Sequence, residues 1–310
     1  MADIHDLIVQ HGHEKARDLV PASQRRYVDI ASAMLAEEAQ AMGVTYSGFC
    51  LTGLPHKPLR ADEPWVRRGN RVTMMVTPGM EPKNGTAVHI GVPYGARARM
   101  VLFYLQTQAR MHGSRDVVLG RSMNDWLAKM GMSVGGESVR AIKDQAKRIS
   151  RCHLTFDWEG TDSSAKGHIQ FSIVDGAFEP STARDPRQGS LWEEVVHLSE
   201  GFYTALTEHP VPVRELALRE LSSQSMALDV YVWLAYRLHV LSKPTSITWA
   251  GLYHQFGGGF AQVKHFKPAF RSAVMAALAA YPEARVEEED AGLLLFPSTP
   301  PIPKLTATAA

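Results

Sequence analysis

The order of predicted elements over residues 94–174 constrains the fold of this 310-residue chain more than any other feature. Hydrophobic periodicity and turn residues predict helix 94–112, strand 116–119, helix 123–130, helix 138–152, strand 153–158 and strand 168–174. A glycine-rich turn at residues 131–136 separates the second helix from the third, and a polar tip separates the last two strands. This order predicts a winged helix, in which a helix-turn-helix unit is followed by a β-hairpin.

A similar order recurs in the second half of the chain, after a stretch rich in Pro, Arg, Asp and Ser. There the sequence predicts strand 192–198, helix 199–208, helix 222–241, helix 249–256, helix 260–281, strand 284–288 and strand 292–296. We therefore predict an α+β fold with two winged-helix domains in tandem. The expected domains are an N-terminal helical segment at 1–42, a first winged-helix domain at 43–178, a linker at 179–190, a second winged-helix domain at 191–297 and a flexible tail at 298–310.

Ahead of the first helix-turn-helix unit, the sequence predicts further elements of the first domain. Residues 44–54, 71–77 and 87–92 are rich in β-branched and apolar side chains and are predicted as strands. The connection at residues 78–85 contains Gly and Pro, so we expect the last two of these strands to form a hairpin.

The third predicted helix of the first domain separates its apolar and basic side chains onto two faces. At 100° per residue, an arc of about 80° contains Val139, Ile142, Ala146 and Ile149. A second arc of about 80°, roughly 130° away, contains Arg140, Lys143, Lys147 and Arg151. Cations three and four residues apart repel one another, and DNA phosphates would offset that repulsion in a salt-sensitive way. For the basic row by itself, a solvated helix face is the alternative.

The helix-turn-helix context and the hairpin that follows favour DNA contact for this helix. The residues predicted to contact DNA are Ser138, Arg140, Lys143, Lys147, Arg148 and Arg151. Ser138 and Arg140 lie at the start of the helix, where a recognition helix meets base edges, so we expect them to read bases in the major groove. Lys166 and His168 in the hairpin would suit a wing that touches the DNA backbone.

The second domain carries a weaker version of the same pattern. Lys264, Lys267 and Arg271 lie together beside an apolar arc, and we predict that they hold a second segment of DNA. Pro268 cannot lie deep inside a helix without removing a hydrogen bond, so we expect that helix to begin near residues 265–267. A packing or dimerisation domain is the alternative for this half of the chain.

Composition and charge argue against several other classes of protein. The net charge is +1, so any basic surface must be local and compensated elsewhere. Cys50 and Cys152 fit no metal-ligand spacing, and we expect two reduced thiols. The N-terminal residues carry no signal-peptide pattern, and no stretch approaches the ~18 apolar residues of a membrane span. We expect a cytoplasmic protein with no metal, no cofactor and no membrane partner.

Some short motifs resemble catalytic or metal-binding patterns but lack the context that such chemistry needs. Residues 131–135, Gly-Met-Ser-Val-Gly, match the nucleophile elbow of hydrolases, but the segment before Ser133 is predicted as a helix rather than a strand. His153 and His168, expected to face each other across the hairpin, do not complete a metal site. The three glycines at 257–259 are not followed by the Gly-Lys-Ser/Thr of a phosphate-binding loop. We therefore expect a protein that is not an enzyme.

Longer stretches of the chain resemble a known family. In order, they are Gly91-Val-Pro-Tyr-Gly-Ala-Arg-Ala-Arg-Met-Val-Leu, Leu119-Gly-Arg-Ser-Met-Asn-Asp-Trp-Leu, Val134-Gly-Gly, Gln145-Ala-Lys-Arg-Ile-Ser-Arg-Cys, Phe256-Gly and Tyr281-Pro-Glu-Ala-Arg-Val. They resemble the plasmid-encoded RepA replication initiators and extend over about residues 88–297. The first 40 residues and the tail carry no part of the resemblance.

The resemblance implies a replication initiator of a bacterial plasmid. Such a protein binds repeated double-stranded sites (iterons) at the origin, helps to melt the adjacent DNA and recruits the host helicase. The implied partners are origin DNA, the host helicase and initiator, and a second copy of the chain in a dimer. A winged-helix transcriptional repressor is the first alternative. An origin-nicking enzyme or a hydrolase using Ser133, and a structural dimerisation module, are the others.

Overall fold

The structure, a computed structural model, describes residues 4–120, 122–159, 166–176 and 195–302. The chain forms two compact units, a central unit, Val44–Pro210, and a terminal unit that combines Met1–Gly43 with Val211–Ala310. The segment expected as a separate element at residues 1–42 thus shares a unit with the C-terminal part of the chain. The predicted linker at 179–190 lies outside the described residues, and the central unit extends beyond it.

Helices and strands occur in both units. The helices are α1 (Ile4–His11), α2 (His13–Leu19), α3 (Arg25–Ala36), α4 (Ser47–Leu51), α5 (Gly95–His112), α6 (Met123–Lys129), α7 (Gly136–Arg151), α8 (Glu200–Glu208), α9 (Glu215–Glu220), α10 (Ser225–Leu238), α11 (Trp249–Phe256) and α12 (Val263–Ala279). The strands are β1 (Met42–Tyr46), β2 (Trp65–Arg68), β3 (Val72–Thr77), β4 (Gly79–Lys83), β5 (Thr86–Gly91), β6 (Asp116–Val118), β7 (His153–Glu159), β8 (Lys166–Ser172), β9 (Val174–Asp175), β10 (Val195–Leu198), β11 (Pro210–Arg214), β12 (Thr245–Thr248), β13 (Val286–Glu289) and β14 (Gly292–Leu295). The expectation of a mixed helix-and-strand fold is confirmed.

The central unit is organised around an antiparallel sheet with the strand order β2-β3-β7-β8. β7 and β8 form the predicted hairpin, with Phe156 opposite Ile169, and on its other side β7 places Phe156 opposite Met74 of β3. Alternation along β7 buries Leu154 and Phe156 on the same face. There the ring of Phe156 packs edge-on against Tyr46, with ring centroids 5.4 Å apart. The hairpin is therefore bound into the core sheet of its unit.

One strand predicted in the central unit is only partly a strand, and another has a partner far away in the chain. The strand predicted at 44–54 ends at Tyr46, and α4 follows at once. A Cβ atom at Gly48 would lie 2.8 Å from the Phe156 ring, so glycine lets this turn of helix pack against the aromatic core. The short strand β6 pairs with β10, in a sheet ordered β6-β10-β9, and does not pair with the β7–β8 hairpin.

The hairpin predicted between residues 71–77 and 87–92 is wrong. β3 pairs with β2 and β7, whereas β5 forms a separate hairpin with β4. The physical reason lies at Gly79, where an added Cβ atom would be 2.1 Å from the carbonyl oxygen of Arg151. The chain runs so close to the end of α7 at this point that it leaves the sheet and turns into a new, largely exposed hairpin.

The C-terminal part of the terminal unit closely follows the order of elements predicted for the second half of the chain. α10, β12, α11 and α12 precede the β13–β14 hairpin, and β12 pairs with β14 to give the strand order β12-β14-β13. The rings of Phe266 and Phe270 stack in its core at 4.9 Å. α12 begins at Val263, earlier than the expected start at 265–267. Pro268 is exposed and lies near the N-terminus of α12, where the helix loses only the bond to the carbonyl four residues before it.

The first residues of the predicted flexible tail are held onto the terminal unit. The Tyr281 hydroxyl donates a hydrogen bond to the carbonyl oxygen of Thr299 at 2.7 Å. Arg214 Nε donates to the carbonyl oxygen of Pro301 at 2.9 Å, and Pro301 is buried. Burial raises the pKa of the Tyr281 hydroxyl, which keeps it protonated as a donor. The rest of the predicted tail, residues 303–310, lies outside the described residues.

Substitution of Arg214 tests whether these contacts stabilise the terminal unit. Arg214 is 4% exposed and forms an ion pair with Glu283, so Arg214→Met would leave a partly buried carboxylate without its partner. We expect a loss of about 3 kcal/mol in the free energy of unfolding, measured with urea. The control is Arg219→Met, which removes an exposed ion pair with Glu215 and should cost less than about 0.5 kcal/mol. Equal losses of unfolding free energy in the two variants would contradict a structural role for the contacts of Arg214.

Candidate nucleic-acid interface

α7 follows the short helix α6 through a turn, as the sequence predicts. The Ser122 hydroxyl accepts a hydrogen bond from the amide of Asp125 at 3.1 Å and caps α6. Gly131, with a φ of +67°, lies in the turn just after α6, in a conformation that favours glycine. The buried stripe of α7 comprises Ile142, Ala146 and Ile149, each with 0% exposure. Three of the four residues predicted for the apolar face are thus buried, Val139 is half-buried, and the basic arc lies on another side of the helix.

The basic arc of α7 differs between its first and second halves. Arg140 is exposed and makes no ion pair or hydrogen bond with another described residue. Lys143 and Arg151 are half-buried. Lys147 forms an ion pair with Glu81 of β4. The hydrogen bond from Lys147 holds the pKa of the Glu81 carboxyl below its usual value, so Glu81 is charged at neutral pH.

Arg148, predicted to contact DNA, is instead bound within the central unit. Its Nε donates a hydrogen bond to Asp144 at 2.8 Å, and its Nη1 donates to the carbonyl oxygen of Val92 at 3.4 Å. The guanidinium carbon lies 5.1 Å from the centre of the Tyr94 ring. Gly91 has a φ of +77°, and a Cβ atom there would lie 2.3 Å from Arg148 Nη1. Arg148 therefore positions α7, and these contacts leave its guanidinium less available to a phosphate than that of Arg140.

A comparison of two arginines on α7 tests this assignment. We expect Arg148→Met to lower the free energy of unfolding by about 1–2 kcal/mol, because it removes charge-assisted hydrogen bonds and the contact with Tyr94. Arg140→Met, which removes an exposed arginine of the same helix, should change that free energy by less than about 0.5 kcal/mol. Urea unfolding of both variants measures the difference. A loss at Arg140 as large as the loss at Arg148 would refute the distinction.

Ser138, which the sequence predicts to read bases, is buried at the start of α7. It is 7% exposed, and its hydroxyl lies 3.3 Å from that of Ser133 across the turn between α6 and α7. A side chain buried in this way is not available to base edges. Ser133 lies between two helices, and no histidine or carboxylate is hydrogen-bonded to it within the described part of the chain. The arrangement does not provide the base that a nucleophilic serine needs.

The register of the β7–β8 hairpin separates the two histidines that the sequence placed opposite each other. His168 pairs with Asp157, with Nδ1 2.7 Å from the carboxylate, and His153 lies opposite Ser172. The expectation that the two histidines face each other is therefore wrong. Lys166 begins β8, and its side chain lies outside the described part of the structure.

The terminal unit brings together two of the three cations predicted there. The ammonium of Lys267 and the guanidinium of Arg271 each lie 5.1 Å from the centre of the Trp249 ring. Arg271 also forms an ion pair with Glu288 of β13 at 2.6 Å. Lys264 is exposed at the start of α12 and has no ion pair or hydrogen bond among the described residues. The α12 row thus resembles that of α7, with an exposed, unpaired first cation and a later cation bound by a carboxylate.

The hairpin beside α12 is strongly acidic, a feature that the sequence analysis missed. Four consecutive acidic residues form most of its first strand and its tip: Glu287, Glu288, Glu289 and Asp290. All four are exposed at residue level, although the Glu288 side chain is only 29% exposed because it reaches Arg271. The signal was present in the sequence as an uninterrupted acidic run. The contact of Glu81 with Lys147 had no such signal, because the two residues are far apart in the chain.

The remaining chemistry of the described residues is limited. Cys50 and Cys152 are buried free thiols, and burial raises the pKa of Cys152 to about 12, which makes a thiolate unfavourable there. Across the described ranges, no three His, Cys, Asp or Glu side chains are grouped as metal ligands. Within the same ranges, no helix has both the length and the apolar character needed to cross a membrane.

Comparison with known proteins places these features in a family. Residues 92–250, just over half of the chain, match the family model described as plasmid-encoded RepA protein. The matched range contains α5, α6 and α7. The chain belongs to this family. A comparison with curated proteins gives no match.

Two crystal structures of RctB are similar to this chain. One, of selenomethionine derivatives of domain 2 and domain 3 of RctB, covers 81% of this chain and 95% of that chain, with a TM-score of 0.47 and 12% identity. The other, of RctB domains 2-3, covers 79% of this chain and 93% of that chain, with a TM-score of 0.46 and 11% identity. The family assignment itself rests on the sequence match over residues 92–250.

Proposed function

We propose that this chain is the replication initiator of a plasmid and acts by binding repeated double-stranded sites at its origin. Membership of the RepA family is the observation that carries the proposal. The geometry of α7 supports it, because a helix that begins after a helix-turn-helix connection keeps Arg140 exposed and unpaired in its second turn. On this proposal both units act as winged-helix DNA-binding domains, with α7 and α12 as their recognition helices.

The proposed mechanism is binding without covalent chemistry. Arg140 would reach base edges in the major groove, where a guanidinium recognises guanine through two hydrogen bonds. Lys143 on α7, and Lys264 and Lys267 on α12, would contact phosphates and release counterions. Two binding helices on one chain raise the affinity for a site that spans both, because the second contact forms at a high effective concentration. Recruitment of the host helicase and initiator, self-association as a dimer and a cytoplasmic location are parts of the same proposal.

Replication of a plasmid tests the proposed function directly. We expect DNA that carries this gene and its flanking repeats to be maintained in a host that cannot replicate the vector by itself, and to be lost when the gene is interrupted. Incubation of supercoiled origin DNA with the purified chain should give no nicks, and Ser133→Ala should replicate normally. Binding to the repeats without maintenance of the plasmid would favour the transcriptional repressor. Nicked DNA, or loss of replication with Ser133→Ala, would favour an enzyme.

Substitution of Arg140 tests the recognition helix. We expect Arg140→Ala to reduce the discrimination between the natural site and a site with one changed base pair by about 10–100-fold, the equivalent of about 1–3 kcal/mol. The measurement is fluorescence anisotropy with a set of labelled duplexes that differ at single positions. Lys57→Ala, which removes an exposed cation of the central unit outside α7, is the matched control and should leave discrimination unchanged. Uniform weakening across all duplexes would move Arg140 from base reading to phosphate contact.

A further inference from the structure

The two basic helices share an arrangement in which a hairpin carboxylate binds the cation of their second half. In the central unit, Glu81 of the β4–β5 hairpin binds Lys147 of α7. In the terminal unit, Glu288 of the β13–β14 hairpin binds Arg271 of α12 through contacts of 2.6 and 2.7 Å. The two hairpins differ in sequence and topology. In chain order, the β4–β5 hairpin precedes α7, whereas the β13–β14 hairpin follows α12. The two ion pairs are therefore independent of each other.

The spacing between the exposed first cation and the paired cation is the same on the two helices. Lys147 lies seven residues after Arg140, and Arg271 lies seven residues after Lys264. Seven residues are close to two turns, so the paired cation lies on the same side of the helix as the exposed, unpaired one. A straight surface such as a DNA backbone that meets the first cation would therefore also approach the second. In both units the second cation is already occupied by a carboxylate of the same unit.

In each pair the side chain of the carboxylate is more buried than that of the cation. The side chains of Lys147 and Glu81 are 34% and 23% exposed, and those of Arg271 and Glu288 are 46% and 29% exposed. Partly buried charges are screened less by salt than exposed ones. The guanidinium of Arg271 is held further by its position over the Trp249 ring. In each pair the charge of a cation of the basic row is thus balanced by a carboxylate of the same unit.

We propose that Glu81 and Glu288 are restraints on DNA binding, which hold Lys147 and Arg271 away from phosphates and confine backbone contact to the cations that precede them on α7 and α12. This inference rests on the proposed function and concerns the regulation of the same interface. Its consequence is a lower affinity for DNA of any sequence than the number of cations on the two helices would give, because sequence-independent affinity grows with the number of phosphates neutralised. Recognition by Arg140 is unaffected, because base contacts do not use the restrained cations.

Neutral substitutions of the two carboxylates test the proposal in the full-length chain. Glu81→Gln and Glu288→Gln keep the size of the side chain and remove its charge, so each should release one cation. With a duplex of random sequence as probe, we expect each variant to steepen the slope of log affinity against log salt by ~0.9 and to raise the affinity about fivefold at 0.15 M salt. Adding Lys147→Ala to Glu81→Gln should return the slope to that of the unsubstituted chain.

Two controls remove a carboxylate without releasing a cation. Glu287→Gln lies next to Glu288 in β13, and Glu63→Gln lies in an exposed turn of the central unit; neither carboxylate has an ion pair among the described residues. Both should leave the slope unchanged, and thermal melting checks that every variant is folded. Slopes for Glu81→Gln and Glu288→Gln equal to those of the controls would overturn the inference. Failure of the unsubstituted chain to bind origin DNA would instead overturn the proposed function.

Discussion

The orientation of α7 depends on the side chain of Arg148, because it joins the helix to the segment that leads into α5. Its guanidinium reaches the carbonyl oxygen of Val92 at 3.4 Å and the ring of Tyr94 at 5.1 Å. Gln145, one turn earlier, accepts a hydrogen bond from the amide of Tyr94 at 2.9 Å. Since α5 is largely buried, these contacts tie α7 to the core of its unit. Arg140, about two turns before Arg148, is thereby presented from a fixed scaffold.

The sequence predicts the long helices of this fold well and the partners of its strands poorly. The expected helices at 94–112 and 138–152 correspond within two residues to α5 and α7, because the period of buried side chains is a local property. Strand pairing is not local. β6 pairs with β10 and β3 pairs with β2 and β7, and these partners are decided by which apolar faces can be buried together. The contact between Gly79 and the end of α7 similarly joins parts of the chain that no short pattern connects.

The candidate site shows the same division between what a helical wheel can and cannot predict. The helical wheel places the basic arc correctly. It also places Ser138 about 20° from Ile149, on the apolar side, and this position indicates that Ser138 is buried. Arg148 falls about 60° outside the basic arc, beyond Arg151, and this was the available sign that it has another role. The wheel cannot show that a hairpin carboxylate meets Lys147. That contact depends on tertiary packing, which also determines how many of the cations are free to meet an anion.

The charges of the β13–β14 hairpin and the β7–β8 hairpin limit how the proposed DNA contact can be made. A wing that touches the DNA backbone needs cations, yet β13 and its turn carry four acidic residues and no basic one. Between residues 153 and 172, the other hairpin contains Asp157, Glu159 and Asp162 against a single Lys166. These acidic side chains would repel phosphates, so on the proposed mode of binding the helices supply most of the cations for backbone contact. A chain with a net charge of +1 can bind DNA on this plan because its acidic residues flank the basic rows and restrict where phosphates can lie.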